Sequence, residues 1–286
     1  MTADDDDLPI ERPLGEPFSE ILARRLGRRA ALAGIAGAGM SAAVPGWLAA
    51  AGKNPSSLTF EQPSHIIENT DAIAAGYRAD VLIRWGDPVL IGAPVFDPNN
   101  LNAAAQSKQF GYNNDFLAYL PLPGAGADTA STRGLLCVNH EYTNSELMWA
   151  GVSGKPKSEV MTAERIRTEM AAHGLSIIEI AKSAGRWQVV SDSKYPRRIT
   201  TLATPIGISG PAAGTARMRT AADPSGMHVI GTVNNCAGGV TPWGTVLTAE
   251  ENFHGYFSGD PVLTSEARNH ARLGIKGRPW YNWADA

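Results

Sequence analysis

The chain has only two cysteines, Cys137 and Cys236, which excludes a disulfide framework as the source of its stability. In an oxidising compartment the two could pair with each other, and otherwise each is a lone thiol. Positive charge is not in excess either. The chain carries 25 Lys and Arg against 28 Asp and Glu, a net charge of −3, so it has no polycationic face for nucleic acid and no basic stripe for a membrane surface. It has no Gly-rich nucleotide loop of the Walker type and no G-x-S-x-G serine elbow. Internal repeats clear enough to count are missing. Helical periodicity is scarce. One segment has it, from about Ser158 to His173, with Gly174 as the expected C-cap.

What is present suits a globular protein. Apolar residues make up 43% of the 286 positions and charged ones 19%, enough for one large domain or two ordinary ones. Residues 1–51 read as an export signal rather than as fold. An acidic head precedes Arg24, Arg25, Arg28 and Arg29, then an Ala/Gly-rich run leads to Trp47-Leu-Ala-Ala-Ala51. The Arg28-Arg29 pair points to the twin-arginine type and so to the twin-arginine export machinery as a partner. Gly27 and Ala31 depart from the residues usual around such a pair. The run carries Ser41 and Pro45 and is too weakly apolar for a transmembrane helix. A plain amphiphilic N-terminal helix is the other reading. The expected location is periplasmic or secreted. Residues 52–75, rich in Ser, Pro and Asn, read as a linker.

From residue 76 onward the chain becomes a series of short β-type runs between turn signals. These are expected at 81–85, 116–122, 135–138, 176–181, 187–191, 198–203, 228–233 and 245–248. Lys182-Ser-Ala-Gly-Arg186 between two of them is a hairpin signature. Many short strands at a spacing near ten residues argue an all-β fold, whether sandwich, barrel or propeller, with minor helical insertions.

The most informative stretch runs from Gly231 to Phe253, GTVNNCAGGVTPWGTVLTAEENF. Cys236 sits between Asn235 and a Gly-Gly pair, and the run ends in adjacent carboxylates, Glu250 and Glu251. Thiolate and carboxylate are anionic metal ligands, and glycines let backbone approach an ion closely. Two neighbours on a strand face opposite ways, so one of Glu250 and Glu251 misses a shared ion unless the strand ends there. The bland alternative is a turn-rich β segment with an apolar filler cysteine. A second cluster, Leu136-Cys-Val-Asn-His-Glu-Tyr-Thr143, places Asn139, His140 and Glu141 at a strand end, where a polar surface turn is the other reading.

These segments resemble the PhoX-type alkaline phosphatases, exported enzymes that hydrolyse phosphate monoesters with bound iron and calcium. Phe110-Gly-Tyr-Asn-Asn-Asp-Phe116, Arg197-Arg198-Ile-Thr and Ser209-Gly-Pro-Ala-Ala-Gly214 carry the resemblance further, over roughly residues 76–286. It implies a β-propeller, of which this chain would be the N-terminal half. It also implies Glu141 as a metal ligand, with Asn139 and His140 as weaker candidates. Asp115 offers an oxygen suited to calcium, or simply makes a turn. Cys236, the softest donor, suits iron. Arg198 could meet phosphate in bidentate fashion, or make surface or inter-blade contacts. The resemblance leaves the catalytic groups unassigned. Family members run well beyond Ala286, so a further half carrying more ligands is an expected partner. A catalytically inactive propeller fragment that only binds metal or a partner is the alternative function.

Overall fold

The computed structural model describes residues 63, 69–277, 279–281 and 283–285. The expected export signal, and most of the linker, lie outside the described residues. The chain divides into two units, Met1–Ala79 and Asp80–Ala286. Among the described residues every helix and strand belongs to the second unit. None of these helices is long and apolar enough to cross a membrane.

Among the described residues nine strands form: β1 Asn114–Pro121, β2 Arg133–His140, β3 Gly174–Ser183, β4 Arg186–Val189, β5 Arg197–Ile199, β6 Pro205–Gly207, β7 His228–Ile230, β8 Asn235–Val240 and β9 Val246–Glu250. β1 to β4 make an antiparallel meander, and β5 pairs with the N-terminal part of β3. β6–β7 and β8–β9 are separate two-stranded ribbons. The fold is therefore mostly β-sheet with few helices, and among the described residues these sheets do not close into a ring.

Alternation along the strands sets the layers. Leu136 and Val138 of β2 and Ile178 and Ile180 of β3 share one face, where they pack with Phe110 and Val89. Cys137 and Asn139 of β2 and Leu175 and Ile177 of β3 share the other. On that side a cavity of about 600 Å³ separates the sheet from Thr232, Val246 and Thr248. The β8 strand crosses this face near β1 and β2. Its glycines permit the approach: a Cβ on Gly238 would run into the Phe116 ring.

Several expectations need correction. The run at 81–85 forms no strand. It lies flat, and Leu82 and Ile83 cover the core from the side. The long helix is two helices, Lys157–Val160 and Ala163–Ala172, because Thr162 starts afresh by accepting the Arg165 amide. Gly174 does not cap it. His173 does, and Gly174, at φ +92°, turns the chain straight into β3, where a Cβ would strike the Ile199 carbonyl oxygen. The hairpin at 182–186 forms as expected, with Ala184 and Gly185 both at positive φ. Neither cysteine is paired.

The helix Ala163–Ala172 is tied to the sheet by Arg198, which is buried. Its guanidinium donates to the Ala171 (2.6 Å), Leu175 (2.9 Å) and His173 (3.3 Å) carbonyls and to Ser176 Oγ (3.3 Å). Carbonyls at a helix C-terminus lack internal donors and carry the negative end of its dipole, so a cation completes them. Burial holds the Arg198 pKa down to about 9.

Candidate metal centre

Asp115 lies near the start of β1, Glu141 just past the end of β2, Cys236 near the start of β8 and Glu251 just past the end of β9. The β8–β9 ribbon rests on the β1–β2 end of the sheet, so all four converge although they are far apart in sequence. One ligand atom each from Asp115, Glu141 and Cys236 falls within 4.8 Å of the others, and all three residues are half-buried. Cys236 Sγ lies 3.2 Å from Asp115 Oδ2.

The cluster is electrostatically frustrated. Among the described residues no Lys, Arg or His makes an ion pair with these acids. The Cys236 thiol donates to Asp115 Oδ2, and the neighbouring Glu251 and Asp115 carboxylates, with partial burial and the charge of Glu141, push its pKa up to about 12. The Glu141 carboxyl is raised too, by burial first and then by Asp115 and Glu251. A cation placed among anionic groups that raise each other's pKa in this way would relieve their repulsion.

The remaining candidates separate by geometry. Glu250 turns away from the cluster: its Oε1 accepts from Thr232 Oγ1 (2.8 Å) and the Val233 amide (2.9 Å). Asn139 spends its amide on the ribbon, giving Nδ2 to the Cys236 carbonyl at 2.8 Å and accepting Thr248 Oγ1 at 3.0 Å. It clamps the two layers together. His140 is fully buried, its Nε2 2.6 Å from Ser176 Oγ and 3.2 Å from the Gly111 amide. Burial, with the nearby Arg198 charge, holds it neutral. Arg198 spends its donors on the helix end and on Ser176, inside the fold. Asp115, the weaker candidate by sequence, stands at the centre of the cluster.

Sequence inspection passes over a supporting set beside the cluster. Asn234 is buried, and its Nδ2 donates to Tyr256 Oη (3.3 Å) and, at a long 3.5 Å, to the Glu141 carbonyl. Tyr256 Oη in turn lies 3.0 Å from His173 Nε2. Tyr256, Tyr281 and Trp283 pack around the His173 ring.

Comparison with known proteins bears on the whole chain. Residues 59–284 match the family model described as Alkaline phosphatase PhoX. Among solved structures the chain is similar to Pseudomonas fluorescens PhoX in complex with vanadate, a transition state analogue, at 41% sequence identity and a TM-score of 0.65. The similarity covers 74% of this chain and 35% of that one, so this chain spans about a third of the length of that relative. None of the curated proteins compared matches it.

Proposed function

The chain belongs to the PhoX alkaline phosphatase family, and on that premise we propose that it forms part of an exported, metal-dependent phosphatase acting on phosphate monoesters. The observation that carries this reading is the convergence of Cys236, Asp115 and Glu141 within 4.8 Å, with Glu251 beside them. One thiolate among carboxylates is a mixed soft and hard donor set. It fits an iron held by Cys236 together with carboxylate oxygens of Asp115, Glu141 and Glu251, with calcium at carboxylate oxygens close by. Bound cations would neutralise the charge of a phosphate ester and lower the pKa of an attacking water.

The roles of this chain's own residues follow from their places. On binding a cation Cys236 would release its proton to solvent and could serve as a ligand, and the Asp115 carboxylate that now accepts its hydrogen bond would be free to ligate as well. Asn139 and Thr248 fix the Cys236 backbone against the sheet. Glu250, His140 and Arg198 stand outside the proposed ligand set because each is engaged elsewhere. We extend the proposal to the fold and the route. The strand pairs would be blades of a β-propeller, and the Arg28-Arg29 pair a twin-arginine export signal.

Because the chain spans 35% of its solved relative, metal binding and turnover are proposed and tested separately. Elemental analysis of Cys236→Ser against the parent tests the first, and equal iron in both would sink it. Hydrolysis of p-nitrophenyl phosphate with added iron and calcium tests the second, and a metal-loaded chain without turnover would leave a binding protein.

A further inference from the structure

The two strand pairs that meet at the cluster share one backbone plan. In the first, Asn113 has φ +44° and its carbonyl accepts the Glu141 amide at 3.0 Å. In the second, Asn234 has φ +51° and its carbonyl accepts the Glu251 amide at 2.9 Å. Each left-handed asparagine is followed by Asn114 or Asn235, paired with His140 or Glu250. Each ladder then shifts register, between Asn114 and Leu117 in one and between Asn235 and Gly238 in the other. The shift leaves Asp115 and Phe116 without partners in the first pair and Cys236 and Ala237 in the second, so Asp115 and Cys236 take the same place. The residue preceding each cluster glutamate also reaches back to the segment just before the left-handed asparagine, one position apart in the two pairs. His140 Nε2 takes the Gly111 amide, and Glu250 Oε1 takes the Val233 amide and Thr232 Oγ1.

We infer that Asn113 and Asn234 are equivalent positioning residues, each aiming one pair of ligands, Asp115 with Glu141 and Cys236 with Glu251, into the shared cluster. The inference rests on the proposed metal site. A left-handed residue beside a bulge re-aims the strand, so that a side chain that would alternate away points inward. The same carbonyl anchors the facing glutamate past the end of its strand, which holds both ligands from one residue. Asn is tolerated at positive φ and glycine freely adopts it, whereas alanine is penalised there. Without the device, Asp115 and Cys236 would depend on strand alternation alone, and the two halves would not meet.

The test replaces each asparagine by alanine and by glycine in the full chain. Iron affinity, thiolate-to-iron absorption and the near-ultraviolet circular dichroism of the metal-free protein are measured for each variant, with Cys236→Ser alongside. Asn113→Ala and Asn234→Ala are expected to weaken iron binding about tenfold or more, in the range found for residues that support ligands. Asn234→Ala should also shift the thiolate band, while the metal-free dichroism stays native. Asn113→Gly should hold iron within about twofold of the parent, because glycine keeps the backbone conformation, and Asn234→Gly, which also loses its side-chain bonds to Tyr256 and the Glu141 carbonyl, should lose clearly less than Asn234→Ala. Alanine variants that bind like the parent would overturn the inference. So would glycine variants that lose as much as the alanine ones, or loss of iron accompanied by loss of the native dichroism in both alanine variants. Iron unchanged in Cys236→Ser would instead refute the metal reading itself, and the inference with it.

Discussion

His173 should make the stability of this chain depend on pH in a defined window. Its ring is fully buried against Tyr256, Tyr281 and Trp283. Nδ1 lies 2.7 Å from the Glu169 carbonyl, which can only accept, so the neutral ring carries its proton there and Nε2 accepts from Tyr256 Oη. Burial, with Arg198 nearby, lowers its pKa from 6.5 to about 4. Between those values the unfolded chain binds a proton that the folded chain refuses, so stability rises with pH across the window. The contribution is complete above 6.5 and is lost as pH falls toward 4. A fall of that size corresponds to about 3 kcal/mol, of which about 2 kcal/mol is gone by pH 5. Urea unfolding of the metal-free parent and of His173→Asn, at intervals from pH 4 to pH 7.5, isolates the term. His140 has the same sign of shift and remains in both proteins, so its contribution from burial and Arg198 cancels in the difference, and only the part due to the His173 charge does not. The parent should lose about 3 kcal/mol more than the variant across the window. Equal slopes would refute the reasoning, and would mean that His173 is solvated or paired when charged.

Two further outcomes come from the geometry. Glu251→Gln should lower bound iron in elemental analysis, while Glu250→Gln should leave it near the parent level and instead loosen the Thr232–Val233 turn, seen as faster amide exchange there. Arg198→Met removes the donors of three carbonyls and a hydroxyl, and thermal unfolding should show a loss of about 3–5 kcal/mol with little recovery in Arg198→Lys, which cannot fork.

The sequence made the β framework readable wherever strands alternate or branch. β2 and β3 carry Leu, Ile and Val on one face, and the Lys182–Arg186 turn announces its hairpin. It concealed β8, because Asn-Cys-Ala-Gly-Gly-Val has the composition of a loop. That strand is specified by what it must lie against, the Phe116 ring, rather than by propensity. At the site, Cys236, Glu141 and one of the paired glutamates were legible from donor chemistry and the family resemblance. Choosing Glu251 over Glu250 needed the strand to end between them. His140 looked like a ligand because it follows an asparagine at a strand end, yet the burial of that face makes it a core residue. Asp115 is readable in the sequence only as a weaker candidate, because Asn-Asn-Asp suits a turn as well as a calcium ligand. The echo of Asn113-Asn114-Asp115 in Asn234-Asn235-Cys236 was visible in the sequence, but a three-residue match has no weight until both copies adopt positive φ.

The meander β1 to β4 joins strands that are neighbours in sequence, whereas Cys236 meets Asp115 across 121 positions. Local pairings close small loops and form early, and distant ones wait on loop-closure entropy. The sheet should therefore be in place before the ribbon arrives, and the ligands from β8–β9 should be the last to dock. Folding time then divides into a fast phase that builds a surface and a slow one that completes a binding site. If the proposed metal site holds, a cation present during synthesis would meet Asp115 and Glu141 first and Cys236 only afterwards, and the order of loading would be set by chain topology rather than by affinity.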